Sequence, residues 1–225
     1  MPGHQLSRGS GISETEGGTL TEQERLWHGS FGDEYTSRMV GKDWIESNMV
    51  FFTNALMKTH GIKTILELGC NRGLNLAALE YLDQSTIKTG IDINAHSLHE
   101  LTIMFDDLKL DQPYIHCSPI VNFDTVHTYD LVFTKGVLIH INPDQLSEVY
   151  EKMYNLSDKY ILIAEYYNPT PVEVKYHNMT GKLYKRDFAG EMLDRYQLKL
   201  IDYGFVYKRD KFMQDDLTFF LLSKE

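Results

Sequence analysis

A short stretch of the chain combines two glycines with an acid at a spacing that suits ligand binding. The stretch ILELGCNRGLNL, residues 65–76, begins as an apolar run typical of a buried strand and continues as a helical pattern. Between the two, Gly69 and Gly73 permit a tight turn and a close approach of the backbone to a ligand. The N-terminus of the following helix would present backbone N–H groups there, which favour an anionic or polar ligand group.

A second acid follows the next predicted strand. Asp92, in the stretch GIDIN, stands 23 residues after Gly69. Ligands of an open parallel sheet bind at the carboxyl ends of its strands, so Asp92 and the glycine turn are expected to face one crevice. A carboxylate has only acceptor oxygens and can accept both hydroxyls of a ribose. Together these features predict a nucleoside site.

Asn71 in the turn and Glu67 in the strand before it both argue against a dinucleotide. Asn71 stands where a loop that carries a pyrophosphate needs its middle glycine. Glu67 adds a negative charge that is unfavourable beside phosphates but favourable near a cationic ligand. S-adenosylmethionine fits both conditions, because it has a ribose, a sulfonium and an ammonium but no phosphate. The alternative is a strand-to-helix turn that binds nothing.

Alternating apolar runs and helical stretches would position these residues. The five leading strand-like runs are KTILELG, IKTGIDI, PYIHCSPI, YDLVFTKGVLIHI and KYILIAEYY. The last two runs, LKLIDYGFVY and LTFFLLS, leave no room for a crossover helix, which predicts an antiparallel pair. The fold class predicted is therefore α/β, with a seven-stranded, mostly parallel sheet, an antiparallel C-terminal strand and helices on both faces.

Helices are predicted before the first strand. Thr21 and Glu24 have the spacing of a capping box, and a second helix is predicted over about 43–59. Residues 1–20 are rich in Gly and Ser and have no apolar period, so we expect a flexible tail. Residues 21–225 would form a single domain, with a helical segment at about 21–60.

Composition limits the class of partner. The chain has 225 residues, which suffices for one packed domain, and a formal net charge of −10 with no cluster of Lys and Arg. That charge argues against a nucleic-acid partner and favours a small-molecule substrate. No run approaches the roughly 20 apolar residues of a membrane span. Cys70 and Cys117 are expected to be reduced thiols of a cytoplasmic protein. The oligomeric state stays undetermined.

The motifs together resemble those of class I, Rossmann-like methyltransferases. More narrowly, ELGCNRGLNL, FTKGVLIHINPDQL, YILIAEYYNPTPVEV, KRDFAGEML and DYGFVYKRD are similar to the family of pseudaminic acid biosynthesis-associated methylases. With WHGSFGDEYTSRM, the resemblance covers nearly everything from about residue 22 onwards. It implies S-adenosylmethionine as cofactor and S-adenosylhomocysteine as product. The family name refers to surface-glycan gene sets and does not establish an acceptor.

The resemblance also implies roles for individual residues. It assigns the methionine part of the cofactor to Gly69, Cys70, Asn71 and Gly73, and the ribose to Asp92 and Ile93. Ser118 and Pro119, after the third strand, would border the adenine. Lys135 and Gly136, after the fourth, would face the methionine end near the reacting methyl group.

Methyl transfer from a sulfonium is an in-line displacement, so the protein mainly has to hold the acceptor about 3 Å from the methyl group. A hydroxyl or ammonium acceptor must also lose a proton. His140, just beyond the fourth strand, is the candidate base. The alternative is that His140 packs beside the cofactor and bonds a backbone group.

The acceptor is expected to lie against the segments that follow the fifth strand. Tyr166 and Tyr167 end that strand, and the long insertion after them contains His177 and Arg186. Long loops in compact domains are commonly functional, and Arg186 could meet an acidic substrate group. Alternatively, Arg186 pairs with a surface acid and Asp187 caps the helix that begins at Phe188.

The segment FGDEYTSRM could fold over the site as a lid. Tyr35 would then touch the ligands, and Arg38 would bind the methionine carboxylate. In the alternative, this segment is an ordinary helix with Tyr35 in the core. The motif NPTP superficially resembles a loop of enzymes that methylate adenine in nucleic acid, but it follows the fifth strand. His96 and His99 have helical spacing without a third ligand, so no metal site is predicted.

The sequence thus predicts an S-adenosylmethionine-dependent methyltransferase for a small polar acceptor, such as a sugar or a surface-polysaccharide precursor. Two alternatives stay open. The protein could bind the cofactor for regulation without turnover, or it could methylate a side chain of a protein or peptide.

Overall fold

The chain is represented by a computed structural model that describes residues 20–38, 41–177, 179–212 and 214–224. The strands are β1 (Thr64–Leu68), β2 (Ile87–Asp92), β3 (Tyr114–Cys117), β4 (Tyr129–Lys135), β5 (Ser157–Glu165), β6 (Val172–Glu173), β7 (Tyr184–Lys185), β8 (Leu198–Val206) and β9 (Leu217–Lys224). The helices are α1 (Glu22–His28), α2 (Ser30–Arg38), α3 (Lys42–Ala55), α4 (Leu74–Leu82), α5 (Ala95–Leu108), α6 (Leu146–Leu156) and α7 (Phe188–Leu193). The predicted tail, residues 1–20, lies outside the described residues except for Leu20.

Seven strands form one sheet in the order β3-β2-β1-β4-β5-β9-β8. β1 to β5 pair in parallel, and β9 runs antiparallel to both β5 and β8. The predicted seven-stranded sheet is therefore confirmed. The strand order reverses between β1 and β4, because the chain moves outward to β3 and then returns to the other side of β1. Such a reversal opens a crevice at the carboxyl ends of the strands.

Helices cover both faces of the sheet, as predicted. α3, α4 and α5 bury apolar side chains such as Phe52, Leu76 and Leu101 against one face. α6 and α7 bury Tyr150 and Phe188, among others, against the opposite face. Successive residues of a strand alternate between the faces, so Ile65 packs in the first core and Leu66 in the second.

The first helices begin and end for local reasons. α1 starts with the predicted capping box, in which Thr21 Oγ1 accepts from the Glu24 N–H at 3.2 Å and the Thr21 N–H donates to Glu24 Oε2 at 2.7 Å. α3 ends at Ala55, four residues before the predicted end at Thr59. The chain then leaves the helix through a turn in which the Met57 N–H donates to Asn54 O.

Two segments cover the carboxyl edge of the sheet. One is the pair α1 and α2, and the other is residues 166–187, where β6 and β7 form a small antiparallel ribbon. The two segments touch, since Gln23 Nε2 donates to Gly181 O at 2.9 Å. Within the described ranges, no helix has both the length and the apolar content needed to cross a bilayer.

Candidate active site

The turn after β1 is held against β2 by its backbone. The N–H groups of Gly69 and Cys70 both donate to Ile91 O, at 2.8 and 2.9 Å. Gly69 has a φ of 79°, and a Cβ there would lie 2.6 Å from Val137 Cγ2. Glycine is therefore required at this position both for its conformation and for the close approach of the turn after β4.

The conformation and contacts of Asn71 explain why this residue suits the middle position of the glycine turn. Its φ of 46° is left-handed, a conformation that Asn adopts more readily than most side chains. Its backbone N–H donates to Asp92 Oδ2 at 2.7 Å, and its side-chain Nδ2 donates to Thr36 Oγ1 at 3.1 Å. Asn71 thus ties the turn to β2 on one side and to α2 on the other.

Gly73 lies behind the pocket that the turn borders. It precedes α4 with a φ of 78°, and a Cβ would meet Leu101 Cγ at 2.6 Å. Its role in the structure is the close packing of α4 against α5. It does not line the pocket, although Gly69, Cys70 and Asn71 do.

Asp92 lines the pocket at the end of β2 and is fixed by main-chain donors. Oδ2 accepts from Asn71 N–H and Oδ1 from Asn94 N–H, at 2.7 and 2.9 Å. Burial raises the pKa of Asp92, while these N–H groups act to lower it. Each carboxylate oxygen has a second lone pair, so the side chain can still accept two hydroxyls. The neighbouring Ile93 also lines the pocket.

Glu67 lies beneath the pocket and does not line it. The side chain is fully buried, and Asn75 Nδ2 donates to its Oε1 at 2.6 Å. In the described part of the chain, Glu67 Oε2 and Asn75 Oδ1 are buried acceptors without a hydrogen-bond partner. Burial raises the pKa of Glu67 to about 8, against the opposing effects of Asn75 and Lys135. Asn75 itself borders the pocket.

The ends of β3 and β4 complete the pocket floor. Ser118, Pro119, Lys135 and Gly136 all line it, as the sequence predicted. The turn after β4 is anchored by the buried Glu165, whose Oε1 accepts from the Val137 and Leu138 N–H groups at 3.0 and 3.1 Å. Burial raises the pKa of Glu165 to about 7, and those N–H groups act to lower it.

His140 lines the pocket from a short 3-10 turn, Leu138–His140. Its Nδ1 lies 2.9 Å from Lys182 O, an acceptor, so Nδ1 carries the proton and Nε2 carries the free lone pair. Burial lowers the pKa of His140 to about 4, although the bond to Lys182 O acts to raise it. His140 is therefore neutral and weakly basic near pH 7, and it bonds a backbone group as in the predicted alternative.

A group of rings that we call the aromatic wall lines the same pocket. It consists of Trp27, Tyr35, His140, Tyr166 and Tyr176. The Trp27 ring lies 5.2 Å from Tyr35 and 4.7 Å from His140, and the His140 and Tyr176 rings are 4.8 Å apart. Burial raises the pKa of Tyr35 to about 12, so the phenol stays protonated.

Sequence reasoning missed several lining residues. Trp27 and Tyr176 belong to the aromatic wall, and Trp44 and Asn48 reach the pocket from α3. Asp215 accepts from Tyr166 Oη at 2.8 Å, and Gln214 Nε2 donates to Asn48 Oδ1 at 2.8 Å. The high aromatic content was the only sequence signal for the first two, because their partners are distant along the chain.

Four other predicted residues lie outside the pocket. Arg186 Nε donates to Glu191 Oε1 at 2.7 Å, and Asp187 caps α7, which matches the predicted alternative. Arg38 lies over the Tyr35 ring at 5.9 Å, and Tyr167 is 42% exposed beside Phe220. His177 contacts the aromatic wall from behind, with its ring 4.6 Å from that of Tyr176.

The pocket has a volume of about 330 Å³, within the range of small-molecule sites. His96 and His99 are exposed on α5, and the described residues contain no group of three or more His, Cys, Asp or Glu side chains arranged for a metal. Neither Cys70 nor Cys117 forms a disulfide.

Comparisons with known proteins bear on the fold. No family model matches the sequence, and no curated protein matches it significantly. Among solved structures, magnesium protoporphyrin IX methyltransferase from Synechocystis with bound S-adenosylmethionine is similar, with a TM-score of 0.68, 13% identity and coverage of 93% of this chain and 100% of that one. A 1,6-didemethyltoxoflavin N1-methyltransferase from Burkholderia thailandensis is also similar, with a TM-score of 0.67, 14% identity and coverage of 98% of each chain.

A third similar structure is an S-adenosylmethionine-dependent methyltransferase from Clostridium acetobutylicum, with a TM-score of 0.60 and 14% identity over 86% of this chain and 96% of that one. At such identities the likeness concerns the fold. The chain therefore has the Rossmann-like fold of class I methyltransferases.

Proposed function

We propose that this protein is an S-adenosylmethionine-dependent methyltransferase that acts on a small polar acceptor. The observation that carries the proposal is the arrangement of Asp92 and the Gly69–Gly73 turn in one pocket, with the carboxylate fixed by the N–H groups of Asn71 and Asn94. Both features lie at the carboxyl edge of a sheet whose strand order reverses there. Enzymes of this fold use that edge for ligands.

The residues of the pocket suit each part of the cofactor. Asp92 would accept the two ribose hydroxyls with Ile93 beside it, and Ser118 and Pro119 would border the adenine. The methionine part would lie along Gly69, Cys70 and Asn71, with Lys135 and Gly136 near its sulfur. When bound, the cofactor supplies an activated methyl group.

The unpaired acceptors below the turn favour this cofactor over a dinucleotide. Asn75 Oδ1 and Glu67 Oε2 are buried without a described partner, and an unpaired buried acceptor is costly. A ligand ammonium would donate to Asn75 Oδ1, whereas a pyrophosphate would add further acceptors. Glu67 does not line the pocket and keeps its proton below about pH 8, so its role would be to hold Asn75 in place.

The acceptor would lie against the aromatic wall. Trp27, Tyr35, Tyr166 and Tyr176 offer flat apolar surface with hydroxyl groups at its margin, which suits a ring that carries polar substituents. We assign the lid to α1 and α2, because α3 packs mainly in the core. His140, the candidate base, remains within reach of the acceptor but is a weak base. Arg38, Tyr167, His177 and Arg186 would act, if at all, from outside the pocket.

A sugar or another precursor of a surface polysaccharide is the acceptor that we propose. The support is the resemblance to pseudaminic acid biosynthesis-associated methylases and the ring-shaped surface just described. The formal net charge of −10 favours such a small molecule over nucleic acid. The absence of a disulfide between the two cysteines is consistent with a cytoplasmic location.

Two experiments test the proposal. Titration calorimetry should detect binding of S-adenosylmethionine and S-adenosylhomocysteine, and the failure of both to bind would reject it. A screen of nucleotide sugars and sugar phosphates with methyl-labelled cofactor should then give a labelled small molecule. Binding without any labelled product would favour a regulatory protein, and label in macromolecules would favour methylation of protein side chains.

A further inference from the structure

Lys135 is a pocket residue whose charge lacks a direct partner. It is the last residue of β4 and lines the pocket floor, with Nζ 5.5 Å from the centre of the Phe51 ring. Among the described residues, its ammonium forms neither a hydrogen bond nor an ion pair. The acids that act on it from a distance are Glu67 on β1, Glu165 on β5 and Asp215 before β9. All three acids already accept hydrogen bonds from other groups: Glu67 from Asn75, Glu165 from backbone N–H groups and Asp215 from Tyr166.

Open space adjoins the residue that follows Lys135. Gly136 follows it with a φ of 70°, and a Cβ built there would meet no atom within 4 Å. Lys135, Gly136 and the aromatic wall line the same pocket, so this space is free for an acceptor beside the lysine.

Lys135 loses its proton more easily than an ordinary lysine does. Burial lowers its pKa to about 8, although the three acids act to raise it. A bound sulfonium would lower this pKa further, because two positive charges in one pocket repel. His140, with a pKa of about 4, is a much weaker base. General bases work best when their pKa lies near the working pH.

We infer that Lys135 is the general base of the methyl transfer, an inference that rests on the function proposed above. Its neutral Nζ accepts the proton of an acceptor hydroxyl as the oxygen bonds to the methyl carbon, or removes the proton of an acceptor ammonium before the nitrogen attacks that carbon. The bond from that carbon to sulfur breaks, and its electron pair leaves with sulfur as a thioether. Lys135 ends as an ammonium and releases its proton to solvent.

Competitive labelling with acetic anhydride measures the ionisation of Lys135 without any turnover. The full chain is labelled over a pH range, and each lysine is quantified by mass spectrometry. Lys135 should react with a midpoint about 2 pH units below that of the exposed Lys199, and S-adenosylhomocysteine should protect it. Lys88, buried in an ion pair with Glu80, is the control for access. A midpoint equal to that of Lys199 would overturn the inference.

Two substitutions separate a base from an anchor for an anionic substrate. With methyl-labelled cofactor and the sugar phosphate or nucleotide sugar found in the screen, Lys135→Met and Lys135→Arg should each lower kcat by about 10²- to 10⁴-fold. Lys199→Met should leave kcat unchanged. The arginine keeps the charge but cannot accept a proton, so an active Lys135→Arg with an inactive Lys135→Met would overturn the inference.

Cofactor binding distinguishes this inference from the proposed function. Both Lys135 variants should still bind S-adenosylhomocysteine in the calorimeter, which also verifies that they fold. If the wild type binds no cofactor, the proposed function fails. If it binds cofactor and transfers methyl groups while Lys135→Arg stays fully active, only the role of Lys135 fails.

Discussion

Each carboxylate oxygen of Asp92 already holds one backbone N–H before any ligand arrives. The side chain is therefore oriented in advance, and little of its conformational freedom remains to be lost on binding. The same two bonds make Asp92 part of the turn that it faces, so a substitution there affects both the ligand and the loop.

Replacing Asp92 by Asn should weaken S-adenosylhomocysteine binding by about 10- to 100-fold, because one acceptor oxygen becomes a donor and the charge is lost. Titration calorimetry measures the change. Asp111→Asn, an exposed site with the same change of charge, is the matched control. Equal affinities in the Asp92 variant and the wild type would mean that no ribose is held there.

Glu67 makes stability depend on pH. Its folded pKa of about 8 exceeds the ordinary value, so the folded state keeps a proton that the unfolded state releases between about pH 4.5 and 8. Stability is lost across this window as pH rises. Glu67→Gln, which cannot titrate, should gain on the order of 1–3 kcal/mol relative to the wild type between about pH 5 and pH 8.

Urea unfolding of both proteins at the two pH values gives that difference in free energy. His140 and Glu165 are present in both chains and cancel, so the comparison reports Glu67 together with Lys135 and Asp92, with which it interacts. A difference that stays constant with pH would contradict the raised pKa.

At the scale of elements, the side chain of Asn94 holds both α1 and α2. Asn94 Nδ2 donates to Trp27 O and to Asp33 Oδ1, both at 2.9 Å. Asn94 also caps α5, because its Oδ1 accepts from the Ser97 N–H at 2.8 Å. Asn94 thus caps a helix that packs in the core and also binds the two helices, α1 and α2, that lie over the pocket.

Two substitutions at Asn94 should separate these tasks. Asn94→Ser retains a good helix cap but loses the bonds to α1 and α2, so cofactor affinity should fall about 3- to 10-fold with little change in stability. Asn94→Ala should cost about 1 kcal/mol of unfolding free energy in addition. Calorimetry and urea unfolding provide the two measurements. Identical results for the two variants would contradict the division of tasks.

The elements themselves were predictable because each follows a local pattern. β1, β2, β4 and β5 are short apolar runs, and the capping box marks the start of α1. The end of α3 was not predictable, since Leu56 and Met57 continue the apolar pattern while the backbone leaves the helix. The partner of Arg186 was not predictable for a similar reason. Glu191 becomes a neighbour of Arg186 only when the chain folds into α7.

For the whole molecule, ligand binding should stabilise the fold. The pocket is bordered by α1, α2, α3 and the ends of five parallel strands, so a ligand would connect parts that are distant in sequence. S-adenosylhomocysteine at about 100 times its Kd should contribute about 2.7 kcal/mol, which corresponds to roughly 5–10 °C in Tm.

Differential scanning calorimetry measures this shift, with NAD at the same concentration as the control ligand. The pyrophosphate of NAD should find no favourable place above Glu67 and Asn75, so the Tm should not move. A shift with NAD of equal size would point to a dinucleotide site.

Sequence reasoning identified the pocket residues that follow parallel strands better than those that come from other segments. Gly69, Asp92, Ser118 and Lys135 all follow strands, and a parallel sheet brings strand ends together wherever they stand in the chain. Trp27, Tyr176 and Asp215 come from segments outside this rule. Their convergence depends on how α1, the insertion and the start of β9 pack, which no local pattern records.

The carboxylate of Glu165 has a consequence for how this scaffold can change. It fixes the main chain of residues 137–139 from below. The side chains of that turn can therefore be exchanged while their Cα positions stay put. New substrate preferences are best sought by varying Ile139 and Ile141 in libraries that leave residue 165 untouched. The residue that supports the turn after β4 is not one of the residues that face the pocket.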